Sequence, residues 1–167
     1  MGLVFQSVRL ATIGAIFQRH NWRYQLLEDH LFTVFNDVPM FFGVEEDREI
    51  VMMQVPLVPG KGMEGYTPAQ SGAERDAAIY LMSVNYRLAL GAYTRDHRDG
   101  EIRYEVNLPM VGSILSDQQI EHIILVAGTT VTIHGPIINS ILTGALPLQQ
   151  ALSGLDRTHN LPPELAV

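Results

Sequence analysis

The chain has 167 residues and carries 11 Lys and Arg against 18 Asp and Glu, which gives a formal net charge of -7 at pH 7. This acidic balance offers no basic surface for counterion release, and the hydrophobic fraction of 47% is sufficient for a core, so a nucleic-acid partner and a disordered chain are both excluded. The absence of cysteine excludes disulfides, thiolate metal sites and cysteine nucleophiles, and it fits a cytoplasmic protein.

The length predicts a single domain over residues 1–145, followed by a partly frayed C-terminal extension over 146–167. The opening segment 1–9 has no basic flank before its apolar residues and no long apolar run. It therefore indicates neither a signal peptide nor a membrane-spanning helix, and no membrane association is expected.

The first part of the chain predicts one helix followed by a β-meander. Apolar residues recur at helical spacing from Ser7 to His20, with Ser7 as the N-cap. Alternating, β-branched and aromatic residues then predict strands up to the breaker Pro56. The first strand region spans Trp22 to Phe35, with alternation over Trp22–Leu26 and an aromatic and β-branched run over Leu31–Phe35. The other two strands are Met40–Val44 and Ile50–Leu57, joined by an acidic turn over 45–49.

A glycine-rich connection, Gly60–Gly72, separates the meander from a second helix. Its glycines and prolines predict a mobile loop without regular structure. Helical periodicity returns from Ala73 to Leu88, where the apolar residues fall on two stripes instead of one. The second stripe contains Ile79, Met82 and Tyr86.

A hairpin follows the second helix. Residues 90–94 and 102–108 alternate between apolar and polar side chains, and Asp99-Gly100 is a strong turn signal between them. A helix after the hairpin completes the order helix, three strands, helix, two strands, helix. This order predicts an α+β fold with an antiparallel sheet of about five strands and helices packed on it.

The last long helix opens at Ser116, because Ser116 and Gln119 have the spacing of a capping box. The β-branched run Thr129–Ile133 favours a strand locally, but the cap and the apolar spacing favour a helix. We expect this helix to end or kink near Gly135-Pro136, since proline lacks the amide hydrogen of a helix interior. Further helical turns are expected over 137–142 and 148–152.

Several short segments carry a resemblance to a known family. They are Trp22-Arg23-Tyr24, Val55-Pro56, Ala77–Leu90 with its end Asn85-Tyr86-Arg87-Leu88, the hairpin from Gly91-Ala92-Tyr93 to Asp99-Gly100-Glu101-Ile102-Arg103-Tyr104, and Leu115-Ser116-Asp117-Gln118-Gln119-Ile120. Together they resemble the bacterial YbjN family, often labelled sensory transduction regulators, over most of residues 7–142. The chain departs from the family pattern in its glycine-rich connection and in the β-branched content of the last helix.

The resemblance implies a type III secretion chaperone-like fold, whose better-known members are acidic homodimers that hold extended segments of partner proteins. It carries over no catalytic residue and no cofactor. We therefore expect a non-enzymatic protein-binding module, chaperone-like or regulatory, that acts as a homodimer. The alternatives are a small-ligand-binding protein or enzyme using a pocket near Gly60–Gly72, since long loops on rigid scaffolds often carry function, and a purely structural interaction protein.

We predict that the dimer interface lies at the helix Ala73–Leu88. A helix on one face of a sheet needs only one apolar stripe, so the second stripe needs a cover. The first and last helices of the same chain are one candidate cover, and a partner subunit is the other. We expect the partner subunit, with Ile79, Tyr80, Met82 and Tyr86 at or next to the interface.

Two polar clusters are weighed as metal sites and interpreted as surface. The hairpin tip offers oxygen and imidazole ligands, but the Asp-Gly turn favours a solvated tip. Two histidines on the last helix are twelve residues apart, about 120° around the axis, so they do not converge. The residues are Asp96, His97, Asp99 and Glu101 at the tip, and His122 and His134 on the helix.

No catalytic or cofactor-binding residue is predicted. Gly60-Lys61-Gly62 lacks the spacing and the hydroxyl residue of a phosphate-binding loop. The acidic run 45–49 is typical of a solvated turn rather than of paired catalytic carboxylates. No serine lies in a nucleophile motif such as Gly-x-Ser-x-Gly.

Overall fold

The computed structural model describes residues 8–111 and 115–159, and these form four α-helices and six β-strands. Ser7, predicted as the first N-cap, lies outside the described residues. The helices are α1 Val8–Arg19, α2 Ala73–Asn85, α3 Asp117–Leu142 and α4 Leu148–His159. The strands are β1 Tyr24–Leu26, β2 His30–Phe35, β3 Val38–Glu45, β4 Ile50–Val58, β5 Ala92–Arg95 and β6 Ile102–Pro109.

The strands of the described chain form one antiparallel sheet in the order β1-β2-β3-β4-β6-β5. The predicted α+β class is confirmed, but the sheet has six strands rather than about five. The first predicted strand region is divided because Leu27 turns the chain, with its amide donating to the carbonyl of His30 at 2.8 Å. β4 also continues past Pro56 to Val58, where its register with β6 shifts.

One face of the sheet carries the core. Over the first six residues of β3, β4 and β6 every second side chain is buried, as a strand with one covered face requires. Helices α1 and α3 cover this face, and Phe17 of α1 packs edge-on against Trp22, Tyr24 and Phe42 at centroid distances of 5.3, 5.7 and 5.5 Å. The alternate side chains of these strands, on the opposite face of the sheet, are only partly buried or exposed.

The cap of α3 is the one predicted from the sequence. The amide of Gln119 donates to the Ser116 hydroxyl at 3.2 Å, and the Ser116 amide donates to the Gln119 side chain at 3.0 Å. The sequence predicts that α3 ends or kinks near Gly135-Pro136. The helix does not end there, because it continues through Pro136 to Leu142. Apolar residues on both sides of the proline pack into the core and hold the helix together: Ile120, Ile123, Ile124, Ile138 and Ile141.

The C-terminal extension contains more structure than the predicted turn. Helix α4 runs for 12 residues to His159 and contacts α2, and its side chains Ala151 and Leu155 are buried. The turn predicted over 148–152 is thus part of a longer amphipathic helix that buries apolar side chains on the domain, and the partial fraying of the extension stays a prediction. The remainder of the extension, 160–167, lies outside the described residues.

Two side chains tie distant elements together. Arg9 of α1 binds Glu46 and Glu49 in the turn between β3 and β4, at 2.9 and 2.6 Å. Asn85, at the end of α2, donates to the carbonyl of Tyr93 at 2.9 Å and accepts from the amide of Tyr93 at 2.7 Å. These contacts tie α1 to the turn between the two central strands and α2 to the edge strand β5.

One helix in the described part of the chain, α3, is long and apolar enough to cross a membrane by length and composition. A third of its most apolar window, 33%, is buried inside the protein. The core helix of a soluble protein passes the same test, so this helix is weak evidence for a membrane span.

Candidate binding surfaces

The outer face of α2 combines two exposed apolar side chains. Met82 and Tyr86 are 72% and 91% exposed, and their four-residue spacing places them on the same face of the helix. Ile79 lies beside them and is half-buried. Isolated exposed apolar residues are ordinary, but a pair of large side chains on one face forms a surface that a second protein can cover.

Tyr80, the fourth residue predicted for the interface, belongs to the core of its own chain. It is fully buried with Ala77 and Val84 on the inner face of α2. At 100° per residue, Tyr80 and Met82 are about 160° apart around the helix, so they cannot face the same partner. Of the predicted set, the surface of one copy therefore presents Met82, Tyr86 and part of Ile79.

Tyr80 takes part in a buried polar cluster that the sequence patterns do not reveal. Its hydroxyl oxygen lies 2.9 Å from Nδ1 of His134 on α3, and the hydroxyl of Tyr93 donates to the carbonyl of Thr130 at 3.0 Å. Burial raises the pKa of Tyr80 to about 12 and lowers the pKa of His134. The cluster is thus held neutral and hydrogen-bonded, which suits a core contact better than proton transfer with a substrate.

The hairpin tip is closed by its own contacts. The guanidinium of Arg98 binds the carboxylate of Asp96 at 2.6 Å and holds the pKa of Asp96 well below its usual range. His97 is exposed, and Asp99 caps the turn by accepting from the amide of Glu101 at 3.0 Å. Within residues 8–111 and 115–159, no three His, Asp or Glu side chains are grouped so as to hold a metal ion.

The other candidate site residues from the sequence either make contacts with neighbouring protein groups or lie far apart from one another. The acidic turn between β3 and β4 is paired with Arg9 and is therefore not an isolated pair of carboxylates. The amide of Lys61 donates to the carbonyl of Asp99 at 2.7 Å, which ties the glycine-rich loop to the hairpin tip. His122 is exposed while His134 is half-buried against Tyr80, so the two do not share a site.

The Gly60–Gly72 loop has turns but no helix or strand, as predicted. Its mobility stays a prediction. Between the loop, the end of β4 and the end of α3 lies a cleft of about 80 Å³, lined by apolar residues such as Leu57 and Leu142. Pockets that bind drug-sized ligands usually measure roughly 300–1,000 Å³, so this cleft is small for the alternative small-ligand function.

A second apolar surface lies on the face of the sheet that the helices leave open. Phe32 and Phe41 are directly paired across β2 and β3, with ring centroids 5.0 Å apart, and His30 lies 5.6 Å from the Phe41 ring. Met52 is paired with Gly43, and its side chain covers the space that a side chain at position 43 would occupy. All four named side chains are only partly buried. This aromatic surface offers contact area with little conformational freedom to lose.

Comparison with known proteins gives a fold but no family. No protein-family model matches the chain, and no curated protein matches it. Among solved structures the chain is similar to one in the crystal structure of the ExsC-ExsE complex, with a TM-score of 0.50 and 14% sequence identity. The match covers 82% of this chain and 98% of that chain. The described chain therefore has a type III secretion chaperone-like α+β fold.

Proposed function

We propose that this protein is a non-enzymatic protein-binding module, chaperone-like or regulatory, that acts as a homodimer. The observation that carries the proposal is the exposed pair Met82 and Tyr86 on α2, in a fold similar to a chain of the ExsC-ExsE complex. The acidic charge of -7 disfavours nucleic acid as the partner and leaves protein as the better-supported class.

The α2 face and the open face of the sheet have separate roles in this proposal. Met82, Tyr86 and part of Ile79 form the contact between two copies, in which each copy covers the other's apolar side chains. The aromatic surface around Phe32 and Phe41 then remains available for a partner protein. Both surfaces contain large apolar or aromatic side chains, the residue types that contribute most to interface affinity.

Two finer parts of the proposal rest on the sequence. Membership of the YbjN family and a regulatory role are supported by the segments around Trp22 and Asn85, although no family model matches. A cytoplasmic location is supported by the absence of cysteine. The alternative, a ligand site at the Gly60–Gly72 loop, is less favoured because of the small cleft there.

Native affinity capture from the source cell, read by mass spectrometry, tests the protein-binding role. We expect a protein that is retained by the wild type and lost from a Phe41→Ser variant, because this substitution removes the centre of the aromatic surface. A matched control is Tyr66→Ser, which alters a half-buried aromatic side chain in the glycine-rich loop instead. Capture of no protein, or equal retention by both variants and the wild type, would count against this role for the open face of the sheet.

Analytical ultracentrifugation tests the dimer. The wild type should sediment as a dimer at micromolar concentration, and Met82→Glu should sediment as a folded monomer, because a buried unpaired charge costs several times the thermal energy. Leu125→Glu is the control, since Leu125 is 60% exposed on α3 and lies outside the α2 face. A monomeric wild type would end the dimer proposal, and an unfolded Met82→Glu variant would assign Met82 to the core.

A further inference from the structure

A cavity of about 210 Å³ opens where the turn between α1 and β1 approaches the end of β2. It is larger than the cleft at the glycine-rich loop and lies at the β1–β2 end of the sheet, away from the central strand β4 that lines that cleft. Six of the residues that line it are Phe17, Trp22, Phe35, Ile124, Asn21 and Arg23.

The cavity exists because β1 is short. The last paired residues of β1 and β2 are Tyr24 and Thr33, so the chain beyond this pair has no neighbouring strand on that side. Asn21 turns the chain sharply, with a left-handed φ of 53°. The two chain segments therefore separate between Trp22 and Phe35 and leave a space that reaches the core.

Three aromatic rings form the walls of this space in an edge-on arrangement. The centroids of Phe17 and Trp22 are 5.3 Å apart at an interplanar angle of 82°, and those of Trp22 and Phe35 are 6.1 Å apart at 69°. Ile124 of α3 supplies an aliphatic wall. An apolar cavity of roughly 150 Å³ is large enough to bind benzene, so this one has room for a single aromatic ring and a short substituent.

The polar groups at the cavity favour a negative charge on that substituent. Arg23 is exposed, and no carboxylate within residues 8–111 and 115–159 pairs with its guanidinium, whereas Arg9, Arg19 and Arg98 each bind at least one. A free guanidinium in an acidic protein is a ready partner for an incoming carboxylate, which it can bind through two parallel hydrogen bonds. The amide of Asn21 can donate as well.

We propose that this cavity is a binding site for a small aromatic carboxylate, with the ring packed against the wall formed by Phe17, Trp22 and Phe35 and the carboxylate on Arg23. The proposal is independent of the protein-binding function and of the dimer. It assigns a ligand to a site distinct from the α2 face and from the loop Gly60–Gly72.

The fluorescence of Trp22 provides a direct test, because it is the only tryptophan in the chain. Phenylacetate is the probe, phenylacetamide has the same ring without the charge, and acetate has the charge without the ring. We expect phenylacetate to change the emission of the full-length protein saturably and to bind about tenfold more tightly than phenylacetamide, as a charge-assisted hydrogen bond implies. Acetate should leave the emission unchanged.

Two matched variants locate the charge. Arg23→Gln should weaken phenylacetate binding about tenfold and leave phenylacetamide binding unaltered. Arg75→Gln is the control, because Arg75 is also exposed and has no carboxylate partner among the described residues. Backbone amide shifts in NMR spectra of the wild type should centre on residues 17–23 and 33–35. An unsaturable signal, equal affinity for phenylacetate and phenylacetamide, equal weakening by the two variants, or shifts centred on another surface would each overturn the proposal.

Discussion

The hydroxyl oxygen of Tyr80 and Nδ1 of His134 lie 2.9 Å apart and connect α2 to α3 inside the core. Burial raises the pKa of the tyrosine and lowers that of the histidine, so both side chains are neutral. In this state the hydroxyl donates to an unprotonated Nδ1, and the histidine proton resides on Nε2. The hydrogen bond therefore pairs two buried polar atoms, the Tyr80 hydroxyl and Nδ1 of His134, which would otherwise have no partner in this contact.

Replacing Tyr80 with Phe should destabilise the protein by about 1–3 kcal/mol, because the variant leaves Nδ1 of His134 without its partner. Urea unfolding followed by circular dichroism measures the change. Tyr86→Phe is the matched control, since Tyr86 is 91% exposed, and its stability should equal that of the wild type. Equal stabilities for the Tyr80 variant and the wild type would show that water replaces the lost hydroxyl.

The lowered pKa of His134 predicts a dependence of stability on pH. An unfolded histidine has a pKa of about 6.5, and the folded value lies below it, so between the two values the unfolded chain binds a proton that the folded chain does not. Stability therefore rises with pH in this window. The contribution of neutral His134 is complete above pH about 6.5 and is lost as the pH falls from there towards the folded-state pKa.

Urea unfolding of the wild type and His134→Gln across this pH range measures that contribution. The difference in unfolding free energy between the two should shrink as the pH falls below 6.5, the ordinary value for histidine. His122→Gln, which removes an exposed histidine from the same helix, is the control for the loss of a histidine as such. Parallel slopes for the wild type and His134→Gln would refute the assignment.

Asn85 should be sensitive to the loss of a single donor. In Asn85→Asp one carboxylate oxygen still accepts from the backbone amide of Tyr93. The other oxygen replaces the side-chain NH₂ of Asn85 and faces the Tyr93 carbonyl oxygen, so that two acceptors meet. We expect a loss of about 1–3 kcal/mol, larger at neutral pH than under acidic conditions that protonate the aspartate. Thermal unfolding at both pH values measures this, and an unchanged or higher melting temperature at neutral pH would contradict it.

Gly91 has a positive φ of 71°, and an added Cβ would collide with the hydroxyl of Tyr104, which donates to the carbonyl of Leu90. Gly91→Ala should therefore cost about 1–2 kcal/mol for the backbone and a similar amount for displaced packing. Gly62→Ala isolates the backbone cost, because Gly62 also has a positive φ but no atom within 4 Å of the added Cβ. If both variants lose the same stability, the packing part of the argument is wrong.

Local patterns in the sequence predict much of this fold. Ser116 and Gln119 identify the start of α3, and Asp99-Gly100 identifies the β5–β6 hairpin, because these signals act over a few residues. The residues of the α2 stripes were also recognisable as apolar. The sequence does not show which of the two stripes its own chain covers, since this depends on where α3 and α4 pack.

Interactions between distant residues explain what the sequence did not predict. Tyr80 and His134 are 54 positions apart, and Arg9 is 37 positions from Glu46, so no short motif contains either pair. The continuation of α3 through Pro136 likewise depends on tertiary packing, which overrides the local preference of proline. The cavity at Trp22 results from the late start of β1 at Tyr24, a boundary that alternation alone does not define.

The position of β4 between β3 and β6 affects how the chain folds during synthesis. β4 can pair with β3 as soon as the first 58 residues have emerged, but its other edge waits for β6, which begins at Ile102. For that interval a nine-residue, largely apolar strand has unpaired backbone groups along one side. Exposed edges of this kind pair readily with other chains, so truncated products that stop before β6 should aggregate and depend on cellular folding assistance.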